Sequence, residues 1–110
     1  MRSNFDNPMK LEKGGGAEAC GPLEWNGETA ARVTVTITQD KVEGTASGSF
    51  DAPEDEWMLE VRPSDPNKKF HKGRAHARGQ LTTVPAAAAA ENPFPWQQDV
   101  DLDPKAPDDD

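Results

Sequence analysis

The chain has 110 residues, of which 34% are hydrophobic, and a formal net charge of −8 from 20 acidic and 12 basic side chains. That length holds one domain, and that charge disfavours nonspecific binding to nucleic acid or to an anionic membrane surface. A single cysteine, Cys20, rules out an intrachain disulfide and does not suit an oxidising compartment.

Residues 1–19 hold Gly14-Gly15-Gly16 and only scattered apolar side chains, which predicts an extended N-terminal arm. No apolar run follows Met1-Arg2, so no secretory signal is read, and the expected location is the cytoplasm or a virion. A short first strand is expected at 21–25, before the turn pair Asn26-Gly27. From Arg32 to Gln39, Val33, Val35 and Ile37 alternate with Thr34, Thr36 and Thr38, the pattern of a half-buried antiparallel strand. Asp40-Lys41 breaks the run. Val42, Gly44, Ala46, Gly48 and Phe50 then alternate with Glu43, Thr45, Ser47 and Ser49, which makes the two runs a hairpin, although Asp-Lys is not a favoured turn pair.

An acidic turn with Pro53 leads to a third alternation, Trp57, Leu59 and Val61 against Met58, Glu60 and Arg62. Pro63 to Asn67 reads as a loop. From Phe70 the next run sets His71, Gly73, Ala75, Ala77, Gly79 and Leu81 against Lys72, Arg74, His76, Arg78 and Gln80. Pro85, five alanines and Asn92-Pro93 suggest one or two helical turns within a loop, or a plain linker. Trp96, Gln98, Val100 and Leu102 alternate with Gln97, Asp99, Asp101 and Asp103 in a last strand, and residues 104–110 read as an acidic C-terminal tail. Six or seven short strands separated by regular turns predict an all-β fold, a small antiparallel β-sandwich over residues 20–103. Its expected core is Trp25, Val33, Val35, Ile37, Val42, Phe50, Trp57, Leu59, Val61, Ala75, Ala77, Leu81, Trp96, Val100 and Leu102. The succession Trp-x-Leu-x-Val, Gly-x-Ala-x-Ala-x-Gly and Trp-x-x-x-Val-x-Leu resembles an immunoglobulin-like sandwich in architecture, which implies nothing about function.

Catalytic and metal chemistry find little support. His71 and His76 are the two histidines; neither lies beside Cys20, and an odd spacing on one strand would send them to opposite faces. Carboxylates gather in turns and in the tail, where solvent holds them ordinary. No Gly-rich phosphate loop, HExxH or CxxC occurs. No catalytic residue, cofactor or metal is therefore expected. Trp25, Trp57 and Trp96 could form a sugar platform, but each takes an apolar place in its run, which favours packing.

The one constellation with a sharp reading is basic. Six of the 12 Lys and Arg lie between Arg62 and Arg78. Lys72, Arg74, His76 and Arg78 would share one strand face, extended by Lys68 and Lys69, while the small residues opposite would let another sheet approach. Such a stripe can be an ordinary solvated face that blocks edge pairing, or can orient an acidic partner. With only Phe70 nearby to stack a base, nucleic acid ranks low. The function expected from the sequence is non-catalytic: a small subunit of a multi-protein particle, such as a bacteriophage-like capsid decoration or minor virion protein. It would bind neighbouring subunits, copies of itself included, through its arms and the basic strand, with no membrane partner. A free-standing carbohydrate-binding or inhibitor module is the alternative, and a small enzyme the least favoured.

Overall fold

A computed structural model describes residues 2–84 and 93–106. Seven strands occur among them: β1 (Met9–Leu11), β2 (Ala17–Pro22), β3 (Ala30–Gln39), β4 (Val42–Asp51), β5 (Glu56–Val61), β6 (Gly73–Val84) and β7 (Phe94–Asp103). The four long ones follow the alternation closely. Burial along β3 switches at every residue, with Val33, Val35 and Ile37 fully enclosed and the threonines between them turned outward. β-branched side chains favour the extended backbone, and a period of two gives that backbone one wet and one dry side. Asp40 closes the β3–β4 hairpin at φ 54°, a left-handed conformation that Asp tolerates better than most residues.

The strands form one sheet in the order β4-β3-β6-β7-β1-β2-β5. Every pairing is antiparallel except β1 with β7, which is parallel. The all-β expectation stands, but the expected pair of stacked sheets does not: one mixed sheet curls until it is nearly a barrel, and its inner faces supply the core. The edge strands β4 and β5 meet without a continuous ladder. At one end of this seam the Ser64 amide donates to the Glu43 carbonyl at 2.8 Å. Gly44 makes that approach possible, because a Cβ there would collide with the Arg62 carbonyl oxygen.

The N-terminal segment differs most from expectation. Met9–Leu11 bridges β7 and β2, so without it the sheet would divide at this point. Phe5 and Met9 are 3% and 2% exposed. Phe5 packs edge-on against Trp57 and tilted against Trp96, with ring centres 5.9 and 5.0 Å away. Residues 2–19 are thus part of the fold and not an arm, because their few apolar side chains each find a place inside. The short strand expected at 21–25 begins earlier and ends at Pro22. Beyond β7, Pro104–Ala106 form a turn that buries Ala106 and returns its amide to the Asp103 carbonyl at 3.1 Å. The rest of the expected acidic tail, 107–110, and the Ala-rich segment 85–92 lie outside the described residues.

All fifteen expected core positions pack inward. Trp25, Val42, Phe50, Leu59 and Trp96 do so only in part. Phe5, Met9, Ala17, Ala19, Leu23, Ala31 and Phe70 complete the cluster. Gly79 lies flat under the Trp96 ring, where a Cβ would overlap the indole. Among the described residues, no helix is long and apolar enough to cross a membrane.

Candidate interaction face

The outer side of the long-stranded wall is mostly polar, with Val84 and Pro95 exposed at one end. On β3 and β4, Thr34 and Ser47 share a hydroxyl hydrogen bond of 3.0 Å, as do Thr36 and Thr45, and the Thr38 hydroxyl donates to Glu43 at 3.4 Å. These cross-strand pairs fix side-chain rotamers at the surface and contribute modestly to sheet stability.

The basic strand lies beside these rows. Arg74, His76 and Arg78 stand on the outer face of β6, as the alternation requires. Lys68, Lys69 and Lys72 are exposed but precede the strand, in the loop that runs into Gly73. The structure therefore places three of the six expected contact residues in one row and the other three at the end of that row. Lys68 donates from Nζ to the Lys41 carbonyl at 3.2 Å, which ties the loop to the β3–β4 hairpin. His71 is also in this loop, not on the strand. Its backbone is clasped by the Gln39 amide, which accepts from the His71 N–H and donates to its C=O, both at 2.7 Å. Gln39 is 7% exposed, and its end-of-strand position gives no hint in the sequence that it holds the loop in place.

The neighbouring strand supplies what the sequence alone does not reveal. The register pairs Arg74 with Asp101, His76 with Asp99 and Arg78 with Gln97. A basic row thus runs beside an acidic one on β6 and on β7, the middle strand of the sheet. The His76 ring bridges Asp99 Oδ1 and Gln97 Oε1, 3.0 Å from each. Arg74 Nε lies 3.9 Å from Asp101 Oδ1, and those two side chains remain 72% and 57% exposed. Arg78 meets no carboxylate among the described residues. Between Thr34, Thr36, Arg78, Gln80 and Gln97 the face dips into an open depression of about 460 Å³, which Gly79, Pro95 and Trp96 also line. The aspartates are visible in the sequence as the polar half of the last alternation, but which strand they face depends on a pairing between distant segments.

Elsewhere the chemistry is local. Glu28 is 6% exposed and receives the Asn26 amide at 2.6 Å; this bond, with that from its own amide, holds its carboxyl below the usual glutamate range. Glu60 accepts from Arg62 Nε at 2.7 Å and raises that guanidinium's pKa further. No three His, Cys, Asp or Glu side chains among the described residues converge as metal ligands would. Cys20 is buried. Trp57 is fully enclosed and donates from Nε1 to the Ser3 hydroxyl at 2.8 Å, while the Trp25 indole donates to the Glu54 carbonyl. Trp96 packs against Phe5, Trp57 and Phe94. Trp57 is thus committed wholly to packing, while Trp25 and Trp96 are partly buried, and Trp96 lines the open depression.

Fold and face together define an all-β protein with a single curled mixed sheet and a charge-sorted outer wall. Compared with known protein families, curated proteins and solved structures, the chain matches none.

Proposed function

We propose that this protein is a non-catalytic interaction protein, a small subunit of a larger protein assembly, and that it makes contact through the outer face of β3, β4, β6 and β7. The observation that carries the reading is the sorting of Arg74, His76 and Arg78 into one exposed row and Asp99 and Asp101 into the next, on β6 and β7. Random solvated surface mixes its charges. Segregated rows on a stiff support give a partner a defined orientation and penalise every other one. The sequence points to a virion-like particle as the setting, with arms reaching to neighbours. Since residues 2–19 are built into the sheet, contact with neighbours falls to the face.

The test is the size of the species that holds the chain in an extract of its native source. The wild-type chain should sediment well above its monomer mass of 11.9 kDa. An Arg74→Glu/Arg78→Glu variant with unchanged circular dichroism should sediment as a monomer. A wild-type chain that is monomeric in the extract, or a larger species that survives the double substitution, would contradict the proposal.

A further inference from the structure

We infer that the β6–β7 face is self-complementary and joins a second copy of this chain about a twofold axis lying in the face, parallel to the two strands and midway between them. The inference rests on the reading that this face is the contact surface, and adds what covers it.

Two copies of this outward-curving wall that touch along β6 and β7 can be related by a twofold axis in their common plane in two simple ways. An axis across the strands would lay the β6 row of one copy on the β6 row of the other, with Arg74, His76 and Arg78 meeting their own kind. An axis along the strands exchanges the rows. Because Arg74 lies level with Asp101, His76 with Asp99 and Arg78 with Gln97, the second operation sets each basic residue over the acidic or amide residue of the same level in the partner. The charges therefore select one orientation and oppose the other. The rows lie about 4.8 Å apart and their members about 6–7 Å apart along the strand, distances that arginine side chains span easily.

The pairs within one chain leave capacity for this. The Arg74–Asp101 contact is long and solvated, 3.9 Å from Nε to Oδ1, and a guanidinium carries five N–H donors. Arg78, opposite Gln97, has no carboxylate among the described residues. The threonine rows of β3 and β4 flank the contact with hydroxyls that accept or donate as the partner requires.

The experiment uses two full-length variants with opposite faces. Arg74→Glu/Arg78→Glu makes both rows acidic, and Asp99→Lys/Asp101→Lys makes both basic. Sedimentation equilibrium from micromolar to millimolar concentration is run on wild type, on each variant and on their mixture. A second pair, Lys13→Glu/Lys41→Glu and Glu24→Lys/Glu54→Lys, carries the same net charges with the face untouched. Wild type should rise toward twice the monomer mass, each face variant should stay monomeric, and the mixture should recover the dimer. The control pair should each self-associate as wild type does. A wild type that remains monomeric, face variants that self-associate like wild type, or a mixture that fails to pair would overturn the inference. If purified wild type is monomeric yet the extract species is present and lost on Arg74→Glu/Arg78→Glu, the partner is another protein, and only the second-copy inference falls. If the extract species is absent as well, both readings fall.

Discussion

The two walls of this curled sheet are built on different principles. The long-stranded wall, β4-β3-β6-β7, consists of strands of 10, 10, 12 and 10 residues, each alternating between an inner and an outer row; the inner row is buried on β3 and β6 and largely half-buried on β4 and β7. The short-stranded wall, β1-β2-β5, has strands of 3, 6 and 6 residues. Ala17, Ala19, Cys20 and Gly21 on β2 are all buried, so no alternation marks that strand. The first wall stands on its own pattern. The second exists because the first leaves an interior that Phe5, Met9 and Trp57 fill. Recognition surface can be carried by a wall that local sequence already specifies, while the other wall is free to serve closure alone.

The contrast between the walls can be broken most sharply at Phe5. If the short wall is integral to the fold, Phe5→Ala removes an aromatic side chain packed on Trp57 and Trp96 and should cost about 3–5 kcal/mol in chemical denaturation. A change within about 0.5 kcal/mol would return residues 2–11 to the status of an arm. The seam between the walls gives the next effect. Gly44→Ala drives a methyl group into the Arg62 carbonyl and should cost about 1–3 kcal/mol, with faster hydrogen exchange at the Ser64 amide that reaches across to Glu43. The smallest effect concerns acid stability at Glu28, in the turn leading from β2 to β3. Its carboxyl is depressed below the ordinary value of 4.5, chiefly by the Asn26 amide. The folded state therefore favours the ionised form. That contribution is complete above pH 4.5 and is lost as the pH falls through the lower folded value. Glu28→Gln should reduce stability at neutral pH and converge with wild type in acid, as followed by denaturation midpoints at several pH values. A gap that stays constant across the acid range would mean that the loss is one of packing and not of charge.

Legibility follows the same division, except that the alternation of Trp57, Leu59 and Val61 marks β5 on the short wall. Val33, Val35 and Ile37 announce β3, and Ala75, Ala77 and Leu81 announce β6, because a period of two sustained over four or five repeats fits an extended strand and does not fit a helix. The basic row of Arg74, His76 and Arg78 comes with it. What sequence does not show is the neighbour. Asp99 and Asp101 become the complement of that row only through the β6–β7 register, and the joining segment 85–92 has no turn signature tight enough to fix it. Met9–Leu11 is silent in the sequence for a different reason: three residues are too few to show a period, and the parallel pairing with β7 spans most of the chain. Gly14-Gly15-Gly16 reads as a flexible arm, yet Gly15 is buried and its carbonyl accepts the Phe70 amide at 2.9 Å. Glycine-rich sequence here reflects close packing, which composition alone does not distinguish from freedom.

The claim that most depends on the long wall is that a second copy of the chain is met on its outer side, across β6 and β7. Backbone amide NMR spectra recorded over a dilution series address it residue by residue. The shifts that change with concentration should gather at Arg74, His76, Arg78, Gln97, Asp99 and Asp101 and spread no further than the flanking hydroxyl rows of β3 and β4. Shifts that gather instead on β1, β2 or β5, or spectra that do not change at all, would contradict this account.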